Sequence, residues 1–183
     1  VLEIGCNDGY LLSRMADKGA ECVGIDPAAN VLESVKDDRL TLVNAFFGEQ
    51  TELGRFDMII ANNVFAHMPD LHGATKAMRK TLTDDGVLVI ETHHLGAMVR
   101  DLQYDWVYHE HLFYWSCLAL AMHLNRHGLC IFDIQPIALH GGSMRYFVCH
   151  QGARPASRAV EDLMRQERKE GLNSAGTFRK FAV

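Results

Sequence analysis

Short apolar runs alternate along this chain with stretches in which apolar positions recur every three or four residues. Val1-Leu2-Glu3-Ile4 opens in an apolar run and passes through Gly5-Cys6-Asn7-Asp8-Gly9 into a stripe of Tyr10, Leu11, Leu12, Met15 and Ala16. That order predicts strand, glycine turn and helix. It then repeats, with Glu21 to Ile25 as strand, Asp26-Pro27 as its end, Ala28 to Lys36 as helix and Leu40 to Asn44 as a third strand. Phe56 to Ala61 reads as a buried strand and Leu71 to Leu82 as a helix with an apolar stripe. Gly86 to Thr92 reads as a fifth strand after an Asp84-Asp85-Gly86 turn. Strands joined through helical crossovers pair in parallel, so an α/β fold is predicted.

Beyond residue 116 the pattern changes. Cys117 to Arg126 has helical spacing and ends near Gly128, a plausible C-terminal glycine cap. Leu129 to Leu139 and Met144 to His150 read as two strands joined through His140-Gly141-Gly142-Ser143, a connection suited to a hairpin. Ala156 to Glu170 is a charged helix, and Gly171 to Val183 shows no clear pattern. A boundary is therefore placed near 152, separating a core of residues 1–152 from a helix and tail of residues 153–183. The chain starts inside its first strand and carries no closing signal, so it is expected to be part of a longer protein whose C-terminal region begins in that tail.

One stretch fits neither periodicity. Tyr104 to Ser116 places six aromatic residues, two histidines, a glutamate and an aspartate in thirteen positions. A loop lining a pocket accounts for it, because titratable groups among aromatic walls have shifted pKa values and serve chemistry.

Composition narrows the classes. The 183 residues are 48% hydrophobic and 22% charged, ordinary for one globular domain. A net charge of −5 with no basic patch argues against nucleic acid as a partner. No apolar run is long enough to cross a bilayer and the start does not resemble a signal peptide, so a cytoplasmic location without membrane association is expected. The five cysteines are scattered and form no C-x-x-C pair, which favours reduced core residues over disulfides or a zinc ribbon. Nothing fixes an oligomeric state, and a monomer is the default.

Candidate ligand chemistry begins at the first turn. A glycine turn between strand and helix can direct backbone N–H groups toward a ligand, and Asp26 closes the second strand, where a carboxylate can bind both hydroxyls of a ribose. The turn departs from G-x-G-x-x-G, keeping only Gly5 and Gly9, while Glu3 inside the strand could hold an ammonium group. An amino-acid-bearing nucleoside suits this set better than a dinucleotide.

With these residues in this order, the chain resembles the class I S-adenosylmethionine-dependent methyltransferases, over about residues 1 to 150. The resemblance implies a Rossmann-like α/β fold with a mostly parallel seven-stranded sheet and a final antiparallel hairpin. It also implies S-adenosylmethionine as cofactor, with Glu3, Gly5, Asn7 and Gly9 around its methionine part and Asp26 on the ribose. Ala45 and Phe46 would border the adenine, and Asn62 or Asn63 would face the amino acid.

YHEH at 108 to 111, with AHMPD at 66 to 70 and HGGSMR at 140 to 145, is similar to the C-methyltransferases that act on nucleotide-linked deoxysugars. That likeness implies methyl transfer to a carbon alpha to a ketone of a nucleotide sugar, commonly C3 of a 4-keto sugar on thymidine diphosphate. The substrate would be a small molecule, and no metal is required. Such a carbon becomes nucleophilic only after loss of its proton, which calls for a base and for donors to the enolate oxygen. His111 is the expected base, Glu110 its orienting or polarising partner, and Tyr108 and His67 the donors. The family also carries an N-terminal cysteine-rich zinc domain and a second C-terminal domain, which these residues do not contain.

Other readings stay open. An O- or N-methyltransferase would use the base on a hydroxyl or amine, and a non-catalytic remnant would only bind the cofactor. His109-x-His111 with His93 and His94 could instead take zinc or iron, although proton transfer is preferred. His72 and His109 read as solvent-facing or locally satisfied. His123 and His127 have the spacing of a metal pair without an HExxH context and are not assigned as ligands. Tyr104, Trp106, Phe113, Tyr114 and Trp115 read as packing under the loop.

Overall fold

Seven strands form one sheet: β1 (Leu2–Ile4), β2 (Cys22–Asp26), β3 (Leu40–Asn44), β4 (Phe56–Asn62), β5 (Leu82–His93), β6 (Leu129–Ile137) and β7 (Ser143–His150). In the computed structural model, which describes residues 1–182, their order is β3-β2-β1-β4-β5-β7-β6. The first five pair in parallel. β7 inserts antiparallel between β5 and β6, as the short connection at 140–143 requires.

The crossover helices are α1 (Tyr10–Ala16), α2 (Ala29–Leu32) and α3 (Leu71–Thr81), followed by α4 (Leu95–Arg100), α5 (Cys117–Arg126), α6 (Arg158–Glu170) and α7 (Ala175–Phe181). Leu2, Ile59, Leu88 and Ile90 from the central strands meet Met78 of α3, Leu120 and Leu124 of α5 and Val160 of α6 in one core. Each of these side chains is at most 2% exposed, and such burial contributes about 1.5–3 kcal/mol apiece. Asp70 and Ser116 cap α3 and α5, accepting from the N–H of Gly73 and Ala119.

Four details differ from the sequence pattern. α2 stops at Leu32, because the Ser34 hydroxyl donates to the Val31 carbonyl at 2.6 Å and the chain closes with i→i−3 bonds. The expected turn at Asp84-Asp85-Gly86 is a bulge inside β5, where pairing jumps from Phe56↔Leu82 to Met58↔Val87. α4 and α7 are helices the pattern did not predict. α7 is tied down by Phe181, whose ring stacks on Tyr104 at 4.6 Å.

The charged helix α6 packs on the core. Glu167, fully buried, accepts from the N–H groups of Cys117 and Leu118 and from Nε2–H of His94, each at 2.8 Å. All five cysteines are free thiols. Among the described residues, no helix is long and apolar enough to cross a membrane.

Candidate active site

β1 and β4 are neighbours, but their chains leave in opposite directions, through β2 on one side and β5 on the other. At such a switch point the loops after the strands part and leave a crevice. Two cavities open there. The larger, about 320 Å³, is lined by Ile4 and Gly5 after β1, Ile25 and Pro27 at the end of β2, Ala45 to Gly48 after β3, and Val64 with His67 to Asp70 after β4. Its walls are apolar, and Phe46 stands at its rim 81% exposed. The smaller, about 90 Å³, is lined by Asn63, His67, Thr92, His93, Trp106, Tyr108, His111 and His140 among others. His67 faces both.

The glycine turn is held from below rather than left open. Gly5 and Gly9 have φ of 70° and 69°, which strains any other side chain, and a Cβ on Gly5 would also press on Val64 Cγ2 at 3.1 Å. Four N–H groups of the turn are engaged within the protein. The amides of Gly5 and Cys6 donate to the Ile25 carbonyl, Gly9 to Cys6, and Asn7 to Oδ2 of Asp26. Asp26 also accepts from Ala28 N–H at 2.8 Å, which locks the first turn to the end of β2. Each of its oxygens keeps a second lone pair for a hydroxyl donor.

Glu3 lies buried in β1, outside both cavities, with Oε2 lacking a partner; Asn62 Oδ1 is likewise buried without one. Burial, with Asp8 nearby, pushes the Glu3 carboxyl up to about 7. Buried acceptors without donors at the head of β1 and β4 fit a ligand that brings a cationic donor.

In the smaller cavity the Tyr108 hydroxyl and Nε2 of His111 are 2.8 Å apart. Burial, then the neighbouring His67 and His93, lowers the His111 pKa below its ordinary value, and burial raises that of Tyr108. The imidazole is therefore neutral and the phenol protonated at neutral pH. Nδ1 of His67 lies 2.7 Å from the Glu110 carbonyl. A carbonyl only accepts, so Nδ1 carries the proton and Nε2 of the neutral ring is an acceptor.

The Glu110 carboxylate, expected to orient His111, is exposed, and Tyr108 makes the contact with the His111 ring. Amides of Leu112 and Phe113 donate to the Ala66 carbonyl, so the loop after β4 and the aromatic loop are stitched together.

Trp106 and His140, given no catalytic or binding role in the sequence, complete the wall with His93, which entered there only as an alternative metal ligand. Trp106 packs on His93 with ring centroids 4.7 Å apart and meets His140 edge-on at 5.3 Å. Gln103 donates to the Gly141 carbonyl, which turns its oxygen toward Nε2–H of His93 at 2.9 Å. His93 Nδ1 is left a buried lone pair. Arg145 makes a two-nitrogen contact with Oε2 of Glu91 at 2.7 and 3.0 Å, while Asn63 N–H donates to the Glu91 carbonyl at 2.7 Å. Only the HGGSMR stretch hinted at this last pair.

Thus Gly5, Ala45 and Phe46 border the large cavity and Asn63, Tyr108 and His111 the small one, with His67 between. Asp26 sits between two lining residues. Asn7 and Gly9 shape the turn, and Glu3 and Asn62 lie beneath. His109 is exposed.

Comparison with known proteins adds the following. Residues 1–132 match the family model described as a methyltransferase domain, and residues 138–183 match a C-methyltransferase C-terminal domain. C-methyltransferase NovU of Streptomyces niveus is 31% identical over 100% of this chain and 45% of its own length. A tRNA U34 carboxymethyltransferase of Aeromonas hydrophila is 35% identical over 56% of this chain and 34% of its own length. The chain thus spans less than half of either relative. A solved S-adenosylmethionine-dependent methyltransferase from Clostridium acetobutylicum superposes with a TM-score of 0.65 at 14% identity, covering 82% of this chain and 83% of its own.

Proposed function

Since the chain belongs to the methyltransferase domain family, we propose that it moves a methyl group from S-adenosylmethionine to a carbon alpha to the ketone of a nucleotide-linked keto-deoxysugar, through an enolate made by a protein base. The observation that carries this reading is the Tyr108–His111 pair at 2.8 Å in a cavity that shares His67 with the larger one. A ketone oxygen and its alpha hydrogen are close neighbours on one molecule. A phenol and an imidazole nitrogen in mutual contact can address both at once. The match to a C-methyltransferase over the whole chain supports transfer to carbon.

The larger cavity suits the methyl donor. Phe46 and Ala45 flank the adenine, Asp26 offers its spare lone pairs to the ribose hydroxyls, and Glu3 and Asn62 supply unpaired acceptors toward the ammonium group. When bound, S-adenosylmethionine supplies an electrophilic methyl group on sulfur.

The chain's residues then do the rest. Tyr108 turns its O–H from His111 to the ketone oxygen, which frees Nε2 of His111 to take the alpha proton. Nε2 of His67, between the cavities, accepts a hydrogen bond that orients the sugar. Trp106 and His140 close the wall and exclude water. Because the small cavity holds only about 90 Å³, it admits the reacting edge of the sugar, and the nucleotide lies outside. Residues 1–152 form the catalytic core, with residues 153–182 braced on it through Val160 and Glu167. The setting is cytoplasmic, in keeping with five free thiols.

Turnover with methyl-labelled S-adenosylmethionine and a thymidine diphosphate 4-keto sugar tests the assignment. The label is expected on carbon, giving a new C–CH₃ group by NMR. Label found on an oxygen or nitrogen would refute it.

A further inference from the structure

Away from both cavities, three histidines from two helices meet. His72 stands in the first turn of α3, while His123 on α5 and His127 at its C-cap are four residues apart and share a face. Nδ1 of His72 is 2.8 Å from Nε2 of His127. One ring nitrogen from each of the three lies within 4.8 Å of the others. The group grades from exposed His72 to buried His123, so an ion has access from solvent on one side and a fixed wall on the other. His72 is solvent-facing, as its sequence suggested, and also belongs to this cluster.

The buried ring is pinned. Thr75 donates its hydroxyl proton to the Leu71 carbonyl at 2.7 Å, so its oxygen accepts from Nε2–H of His123 at 2.8 Å. That bond fixes the tautomer and leaves the lone pair on Nδ1, the kind of outer hydrogen bond that orients ligating histidines. The donor set is imidazole alone, which favours a borderline transition ion over Mg²⁺ or Ca²⁺.

From these contacts the geometry points to a three-histidine site for Zn²⁺ joining the start of α3 to the end of α5, with the fourth position open to water. Zn–N bonds of about 2.0–2.1 Å in a tetrahedron place neighbouring nitrogens about 3.3 Å apart. The His72–His127 nitrogens stand 2.8 Å apart and one nitrogen of each of the three rings lies within 4.8 Å of the others, so binding requires the rings to readjust toward that figure. Lys76 and Arg126 near His127 disfavour added positive charge, which weakens the site. α3 starts four residues after His67, and the ion would steady that end of the cleft. Nothing in this assignment depends on methyl transfer.

The test is calorimetric titration of the untagged 183-residue chain with ZnCl₂, repeated with Co²⁺ to read coordination by absorption. One ion is expected per chain, with affinity reduced at least about tenfold in His72→Ala and again in His127→Ala, a loss no smaller than removal of an outer-shell partner. His109→Ala should leave it unchanged. His72 is exposed, so its replacement leaves folding intact, which circular dichroism verifies. Absence of binding, or binding that His72→Ala and His127→Ala leave unaltered because the ion sits among His67, His93, His111 and His140, would overturn the assignment and leave a hydrogen-bonded histidine pair.

Discussion

Glu167 and His94 are 73 residues apart in sequence, yet Oε1 of Glu167 accepts from Nε2–H of His94 at 2.8 Å in a buried pair. The same carboxylate accepts the amides of Cys117 and Leu118 at the start of α5. α6, the end of β5 and the end of the aromatic loop are thereby joined at one side chain. Glu167→Ala leaves three donors unpaired, and a cost of about 3–5 kcal/mol in unfolding free energy is expected by urea denaturation, as for other broken buried pairs. A cost within error of zero would show that α6 is a passive passenger.

Glu3 should make stability and ligand binding depend on pH. Its carboxyl titrates at about 7 in the folded chain against 4.5 ordinarily. Between those values the folded state holds a proton that the unfolded state has lost, so stability is full below 4.5 and falls as pH rises toward 7. The total is on the order of 3 kcal/mol. Glu3→Gln should flatten that slope in denaturation curves taken across the range. A cationic ligand reverses the preference, so S-adenosylmethionine should bind more tightly at pH 8 than at pH 6 with release of a proton, and this dependence should vanish in Glu3→Gln.

Asp26 holds two backbone amides as well as its proposed ribose. Asp26→Asn presents an NH₂ group to one of those amides, so a loss of about 1.5–3 kcal/mol in stability is expected. Binding of S-adenosylmethionine, measured by calorimetry in the folded variant, should weaken by at least an order of magnitude. Undiminished affinity would remove Asp26 from the cofactor site.

Tyr108→Phe removes the group that faces His111 and is proposed to face the ketone oxygen. Loss of one such donor costs on the order of 10²–10³ in kcat, while affinity for S-adenosylmethionine should stay the same. The pH profile carries a second check. A base must be unprotonated, and His111 is held below its ordinary pKa, so kcat/KM for the keto sugar, measured at saturating S-adenosylmethionine to remove the Glu3 dependence, should be level near pH 7 and fall only on the acid side of 6.5. An acid limb above pH 7 would point to another base.

Much of this architecture was legible because β1 to β5 are apolar runs divided by helical spacing, so Val1 to Ile4 or Phe56 to Ala61 could hardly read otherwise. Where the pattern erred, a local bond decided. Ser34 closes α2 early, and Asp84 to Gly86 sit in a bulge that a turn signature cannot distinguish. α7 was hidden because its anchor, Tyr104, is distant in sequence. YHEH put Tyr108 and His111 in one short loop, but their direct contact emerges only in the fold. The partners of that loop were not legible either. Glu110 contributes a carbonyl where its carboxylate seemed the natural choice, and Trp106, His93 and His140 arrive from three separate segments. Only the folded sheet brings them together.

The claim on which the account rests is that this cavity removes a proton from carbon. Solvent exchange reads that step without methyl transfer. A thymidine diphosphate 4-keto sugar incubated in D₂O with the chain and S-adenosylhomocysteine should lose its alpha-proton NMR signal. His111→Asn should slow that loss by at least about two orders of magnitude, within the 10²–10⁴ range for removal of a general base, with cofactor affinity unchanged. Methyl transfer with no alpha-proton exchange, or exchange as fast in His111→Asn as in the unaltered chain, would contradict it.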